Sequence, residues 1–230
     1  KRNSGFVVMS DTVKNDLLSL KPDAKYIFNE HPLYDHFGDI IDKEVAREKL
    51  NIPKDKKVLL YFGFVRDYKG LDLLLEAMAQ LPDDYYLIIA GEVYGDDKKY
   101  FDLIDKLKIQ NELNVNLRYI RDNEVQLFFS AADVNILPYR SATQSGILSI
   151  AYHFELPVLV TDVGSLKQAV DSSKSGMIIP KAEADMIAES VIEFFNSGQL
   201  PQFIMGIKEY KKLNSWKNLA KNIIAFINEL

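Results

Sequence analysis

Two basic side chains stand three residues apart in the run Gly63-Phe64-Val65-Arg66-Asp67-Tyr68-Lys69-Gly70. Arginine can fork two oxygens of one phosphate, and lysine adds a compact point charge. A glycine on either side lets the backbone come close to a ligand. Arg66 and Lys69, just ahead of a helix expected to begin near Gly70, therefore suit a diphosphate; the plain alternative is two solvated charges on a loop. A second run, Leu137 to Phe154, reads LPYRSATQSGILSIAYHF and carries no acid. Ser141, Thr143, Gln144 and Ser145 offer neutral hydrogen bonds. The amides near Ser145 and Gly146 open an apolar helix, where backbone N–H groups lack internal partners. A loop of this kind positions sugar hydroxyls or phosphate oxygens; one capping serine would explain only one of its four polar side chains.

Other chemistries lack their signatures. No Gly-Lys-Ser or Gly-Lys-Thr follows the first run, and no Gly-x-Gly-x-x-Gly occurs, so neither a P-loop nor a dinucleotide fingerprint is present. No Gly-x-Ser-x-Gly elbow exists. His31 and His153 are far apart, and no His or carboxylate cluster has metal-ligand spacing.

The elements that must hold these residues alternate short apolar runs with longer amphipathic ones, the pattern of a parallel sheet covered by helices. Strands are expected at 6–9, 25–28, 57–62, 86–90, 116–120, 134–139, 157–161 and 177–179. Helices are expected near 11–20, 43–50, 70–80, 98–108, 123–131, 146–153, 165–170, 182–196, 201–213 and 216–230. In such a sheet ligands bind at the carboxyl ends of the strands. Those ends are Gly63 to Gly70, Gly91-Glu92, Arg121-Asp122-Asn123, Tyr139 to Gly146, and Thr161 to Gly164. If the sheet is parallel, all of them lie along one edge. Tyr61, Phe62, Tyr85, Tyr86, Phe128 and Phe129 sit at core-like spacings and read as packing. The first two strands cannot make a domain by themselves; they extend the main sheet or belong to another domain.

A chain of 230 residues that is 47% hydrophobic buries one good core, or one core and part of another. The formal charge of −5 speaks against non-specific nucleic-acid binding. With no cysteine there is no disulfide framework and no thiolate metal site. No apolar run reaches the length of a membrane span. A cytoplasmic location is expected, with peripheral attachment to the inner face of a membrane compatible with it.

The order of these motifs resembles the C-terminal, nucleotide-sugar-binding half of a group 1 (family four) retaining glycosyltransferase of the GT-B fold. The pieces are VLLYFGFVRDYKGLDLLLEAM, YYLIIAGE, NLRYIRDNEVQLFFSAADVNILPY, SATQSGILSIAYHFELPVLVTDVGSL, SGMIIP and SWKNLAKNIIAFINEL, together covering about 57–230. The resemblance implies a remnant of an N-terminal Rossmann domain and a linker at 1–42, a donor-binding Rossmann-like domain at 43–210, and a C-terminal helix at 211–230 that packs back on the first domain. On this reading the chain is a fragment that binds donor and transfers nothing alone.

The resemblance assigns Arg66 and Lys69 to the donor diphosphate as the catalytic cations, although the arginine more often directly follows the glycine, where Phe64 stands. It places the nucleobase near Ile120 and Arg121; the strand ends and the second loop add Gly63, Glu92, Tyr139, Thr143, Gln144, Ser145 and Gly146 as candidate substrate-binding residues. The family's two glutamates, eight positions apart, are replaced by Ala142 and Ile150. A divergent subgroup with a Thr-Gln-Ser-Gly loop resembles this arrangement. The donor expected is a UDP-sugar or GDP-sugar and the acceptor a glycan or lipid-linked glycan, with no metal and no other cofactor implied. The alternative function is a catalytically degenerate domain used for binding or assembly. A flavodoxin-like or receiver-type module would need an acidic cluster or a flavin loop at the strand ends, and neither is evident.

Overall fold

The computed structural model describes residues 3–9, 11–142 and 145–230. The chain divides into two compact units, one of residues 1–34 with 209–230 and one of residues 35–208.

In the larger unit six short runs become strands, the central ones buried on both faces and the edge runs LNVN and GMII only partly covered. They are β3 (Lys57–Phe62), β4 (Tyr85–Ala90), β5 (Leu113–Asn116), β6 (Val134–Leu137), β7 (Val158–Thr161) and β8 (Gly176–Ile179). They form one parallel sheet in the order β5-β4-β3-β6-β7-β8. Parallel strands need crossovers, and helices on both faces explain why the strands read as continuous hydrophobic segments. From β3, Leu59 and Tyr61 enter a core shared with α3 (Leu71–Met78), α4 (Lys98–Leu107) and α8 (Ala184–Asn196). The alternate residue Phe62 points the other way and meets Phe129 of α5 (Asp122–Ala131) edge-on at 4.8 Å. The expected α/β, Rossmann-like sheet is borne out.

Strand order reverses between β3 and β6, which pair through two positions only, Leu59 with Val134 and Leu60 with Asn135. Neighbouring strands leading in opposite directions around the sheet leave a crevice at their carboxyl ends. Glycine is required there twice. Gly70 has φ +69°, and a Cβ on it would lie 2.1 Å from the Pro138 carbonyl oxygen. Gly91 has φ +149°, and its Cβ would lie 2.0 Å from the Gly63 carbonyl oxygen.

One strand is displaced from its expected place. The β-branched and aromatic run at 116–120 is not the strand; β5 is Leu113–Asn116, which pairs with Leu87–Ala90. The chain turns immediately after it, with the Arg118 amide donating to the Asn116 carbonyl, and Tyr119 is exposed. Leu113 supplies the buried anchor that Tyr119 does not.

The smaller unit holds β1 (Phe6–Val8), α1 (Asp11–Leu20), β2 (Tyr26–Phe28) and α10 (Trp216–Glu229). Its two strands pair in parallel and form a sheet of their own rather than extending the larger one. Helix α10 is capped by Ser215, whose hydroxyl accepts from the Asn218 amide. It packs close enough that a Cβ on Gly5 would lie 2.5 Å from the Phe226 ring. Helix α9 (Leu200–Leu213) spans the boundary between the units in sequence.

Candidate functional site

The crevice between β3 and β6 is built by the turn after each strand. After β3, Gly63 donates its amide to the Ala90 carbonyl, and Val65 donates to that of Glu92. Val65 also forms a parallel bridge with Val93. The chain then makes a 3-10 turn at Asp67–Lys69, with Gly70 in the left-handed conformation at its end. Arg66 stays exposed while Lys69 is folded inward, only 9% exposed.

Lys69 Nζ lies 5.5 Å from the centre of the Tyr139 ring. A Cβ on Gly63 would be 3.5 Å from that nitrogen and 3.0 Å from Cδ1 of Ile147. The ammonium is thus set between Gly63 and Tyr139, the ends of the two strands that flank the topological switch. Among the described residues it makes no hydrogen bond or ion pair. Burial first, and then the nearby positive charge of Arg66, bring its pKa down to about 8.

After β6, Tyr139 is buried and its hydroxyl lies 3.4 Å from Ser145 Oγ. Burial raises the Tyr139 phenol to about 12, so it stays a neutral donor near neutral pH. Ser145 caps α6 (Gly146–His153), its hydroxyl accepting from the Ile147 amide at 3.3 Å. Gly146 is exposed at the first turn of that helix. Thr143 and Gln144, singled out from the sequence, lie outside the described residues. Of the two positions where the resemblance expects acids, Ile150 is a buried packing residue and Ala142 is partly exposed.

The two turns are tied together by Arg140. Its guanidinium forks the Asp72 carboxylate at 2.8 and 2.6 Å and donates to the Asp67 carbonyl at 2.7 Å. Its own amide donates to the Tyr68 carbonyl at 2.7 Å. Burial pushes the Asp72 carboxyl up, but the bonds from Arg140 outweigh it and hold it below its ordinary value. Behind this bracket, Asp67, Tyr68, Asp72, Glu76, Lys99, Tyr100, Leu103 and Arg140 line a cleft of about 610 Å³.

The remaining candidates lie further along the same edge. Glu92 contributes its backbone carbonyl to the β3 turn and exposes its side chain. Ile120 is buried, and Arg121 stands exposed at the start of α5. The Glu124 carboxylate accepts from the Arg121 amide and takes a forked pair of bonds from Arg118. The Arg118 bond is the largest cause that brings Glu124 down to about 2. Among the described residues no group of three or more His, Asp or Glu side chains is placed to hold a metal ion. No described helix is long and apolar enough to cross a membrane.

Sequence reading did not single out Tyr94, Arg140 or Ile147 as site residues. Arg140 was within the quoted loop, but its partner Asp72 lies 68 positions away. Tyr94 follows the Gly91-Glu92 strand end by two residues, which was the available signal.

The model of the family described as "Glycosyl transferases group 1" matches residues 42–213, and the chain belongs to that family. The D-inositol 3-phosphate glycosyltransferase of Corynebacterium urealyticum is 26% identical over an alignment covering 81% of this chain and 46% of that protein. D-inositol 3-phosphate glycosyltransferase 1 of Catenulispora acidiphila is 29% identical, covering 65% of this chain and 38% of its own. The chain thus spans less than half the length of these curated relatives.

Among solved structures, Anabaena Alr3699/HepE in complex with UDP superposes with a TM-score of 0.78 at 15% identity, covering 99% of this chain and 64% of that one. Sucrose-phosphate synthase from Thermosynechococcus elongatus gives 0.75 at 19% identity, covering 97% and 57%. At these identities the likeness establishes the fold, that of the GT-B glycosyltransferases.

Proposed function

We propose that the crevice between β3 and β6 holds the diphosphate of a nucleoside diphosphate sugar, UDP- or GDP-linked, as the donor site of a retaining glycosyltransferase. The observation that carries the reading is Lys69. A buried ammonium is costly unless it is paired, and this one lies at the switch point with no acid against it among the described residues. An anionic ligand would complete it. The structural neighbour Alr3699/HepE has been solved in complex with UDP and with UDP-glucose, which supports a nucleotide-sugar donor.

In this reading Arg66 and Lys69 stabilise the negative charge that develops on the departing diphosphate, an electrostatic role worth most in a water-poor site. Tyr139, Ser145 and the amides at the start of α6 orient the donor, a role the sequence also proposes for Thr143 and Gln144. Ile120 and Arg121 border the nucleobase. The acceptor is a glycan or lipid-linked glycan presented by a second domain, and residues 1–230 alone bind donor without turnover. A degenerate binding domain is the second reading, favoured by Ala142 and by the buried Ile150 in place of the two acids.

Calorimetric titration with UDP, GDP, ADP and their sugar conjugates, repeated on Arg66→Ala and Lys69→Ala, tests the proposal. One base is expected to bind, and both substitutions should weaken it by roughly tenfold or more, the loss of a charge-assisted contact of about 1.5–3 kcal/mol. Folded protein that binds none of them would overturn the donor-site reading.

A further inference from the structure

We infer that Tyr94 is a positioning residue for the diphosphate site: its ring is the shelf that holds the Arg66 guanidinium beside Lys69 while leaving its donors free. The inference rests on the donor-diphosphate reading of this crevice.

Two cations meant for one anion create a problem before the anion arrives. They repel each other, and the coupling is visible in the depression of Lys69 that Arg66 causes. An internal carboxylate would relieve the repulsion but would also occupy the donors. Among the described residues Arg66 makes no ion pair and no side-chain hydrogen bond. Its guanidinium carbon instead lies 4.5 Å from the centre of the Tyr94 ring. An aromatic face attracts a cation through its quadrupole without using the N–H donors, so an arginine resting there stays able to fork a phosphate.

The backbone accounts for how Tyr94 comes to be there. Val65 bridges Val93 in parallel, the Val65 amide donates to the Glu92 carbonyl at 2.8 Å, and the Tyr94 amide donates to the Val65 carbonyl at 3.2 Å. This zipper carries the pairing of β3 and β4 three residues past their ends. Arg66 is itself extended, with φ −139° and ψ 154°. Side chains alternate in extended chain, so Phe64 and Arg66 emerge on the same side and flank one partner. Phe64 meets Tyr94 edge-on at 5.6 Å and fixes the ring from its other neighbour. The lysine is placed by burial and the arginine by an aromatic face, and neither depends on an acid.

The test is a double-mutant cycle read by calorimetry with UDP, UMP, GDP and GMP on wild type, Arg66→Ala, Tyr94→Leu, Tyr94→Phe and Arg66→Ala/Tyr94→Leu. Tyr94→Leu should weaken the nucleoside diphosphate about two- to fivefold, the size of an exposed cation–π contact, and leave the monophosphate nearly unchanged. Tyr94→Phe keeps the ring and should restore the wild-type value. The double variant should bind no more weakly than Arg66→Ala alone, since the shelf acts only through the arginine. Equal losses from Tyr94→Leu with and without Arg66, or no loss in the wild-type background, would overturn the shelf. A ligand-free readout separates this from the donor-site reading. The Arg66 Hδ protons should be ring-current shifted upfield in wild type and Tyr94→Phe but not in Tyr94→Leu. If that shift is present and no diphosphate binds, the donor-site reading has failed and takes the functional role of the shelf with it. If diphosphate binds, Arg66→Ala weakens it and Tyr94→Leu does not, the inference alone has failed.

Discussion

Lys69, the cation proposed to hold the donor diphosphate, works against the stability of its own fold. Its folded pKa, about 8, lies below the ordinary lysine value of 10.5. The unfolded chain therefore binds the proton more tightly than the folded one. The resulting penalty is fully present below pH 8 and disappears as pH rises from about 8 to 10.5. Replacing Lys69 by methionine keeps the packing stem and removes the charge. Lys69→Met should stabilise the ligand-free protein at pH 7 by about 1–3 kcal/mol, discounting the full shift for relaxation. Thermal unfolding should accordingly move up by about 2–8 °C. The same variant should lose most of its nucleotide affinity. The wild-type affinity should fall as pH passes about 8, because the ammonium deprotonates. Differential scanning calorimetry at pH 7 and pH 10.5 checks the stability half; a methionine variant less stable than wild type at pH 7 would contradict it.

At the scale of elements, the site is the meeting of two turns, and Arg140 is what fixes one to the other. The Arg140–Asp72 pair is half exposed, and such pairs add little to global stability. It nevertheless joins the turn that carries Lys69 to the end of β6, through both the side chain and the backbone of one residue. Arg140→Ala and Asp72→Asn should therefore leave the melting temperature nearly unchanged and weaken nucleotide binding about two- to fivefold, converting 0.5–1 kcal/mol into affinity. Their combination should be no worse than either alone. Unchanged affinity in both would show that Gly70 packed on Pro138 holds the turn without the bracket. Elements were also where the sequence was most and least readable. Apolar runs such as KVLLYF and YYLIIA state their strands directly, because both faces are covered. Parallel order alone then brings Gly63, Glu92 and Tyr139 to one edge. The run LRYI misled because aromatic and branched residues favour strands only where they can be buried, and Tyr119 is not. The Arg140–Asp72 and Arg66–Tyr94 pairs were illegible for another reason: they join residues whose proximity is created by sheet register, not by any local pattern.

At the scale of the whole chain, a net charge of −5 coexists with two cations that have no acid against them among the described residues. Charge placement, rather than charge balance, is what defines this site. Placement also governs the smaller unit, whose two strands of three residues are too little sheet to stand alone. Its N-terminal segment depends on the far end of the chain. Asn222 donates to the Asn29 side chain at 2.9 Å, Trp216 meets His31 edge-on at 5.8 Å, and Phe226 covers Gly5. Deleting residues 215–230 removes all three contacts and the helix that covers the strands. Trypsin should then cut rapidly after Lys14 and Lys25, while Lys21, followed by Pro22, remains uncut. Residues 35–208 keep their own core and should persist as a resistant fragment, identified by mass spectrometry. Because every residue assigned to the diphosphate lies in that fragment, nucleotide binding should survive the deletion within about threefold, under 1 kcal/mol. A shortened chain whose residues 3–34 stay protected would show that β1, α1 and β2 hold together without α10; one that loses nucleotide binding would show that the donor site extends beyond residues 35–208.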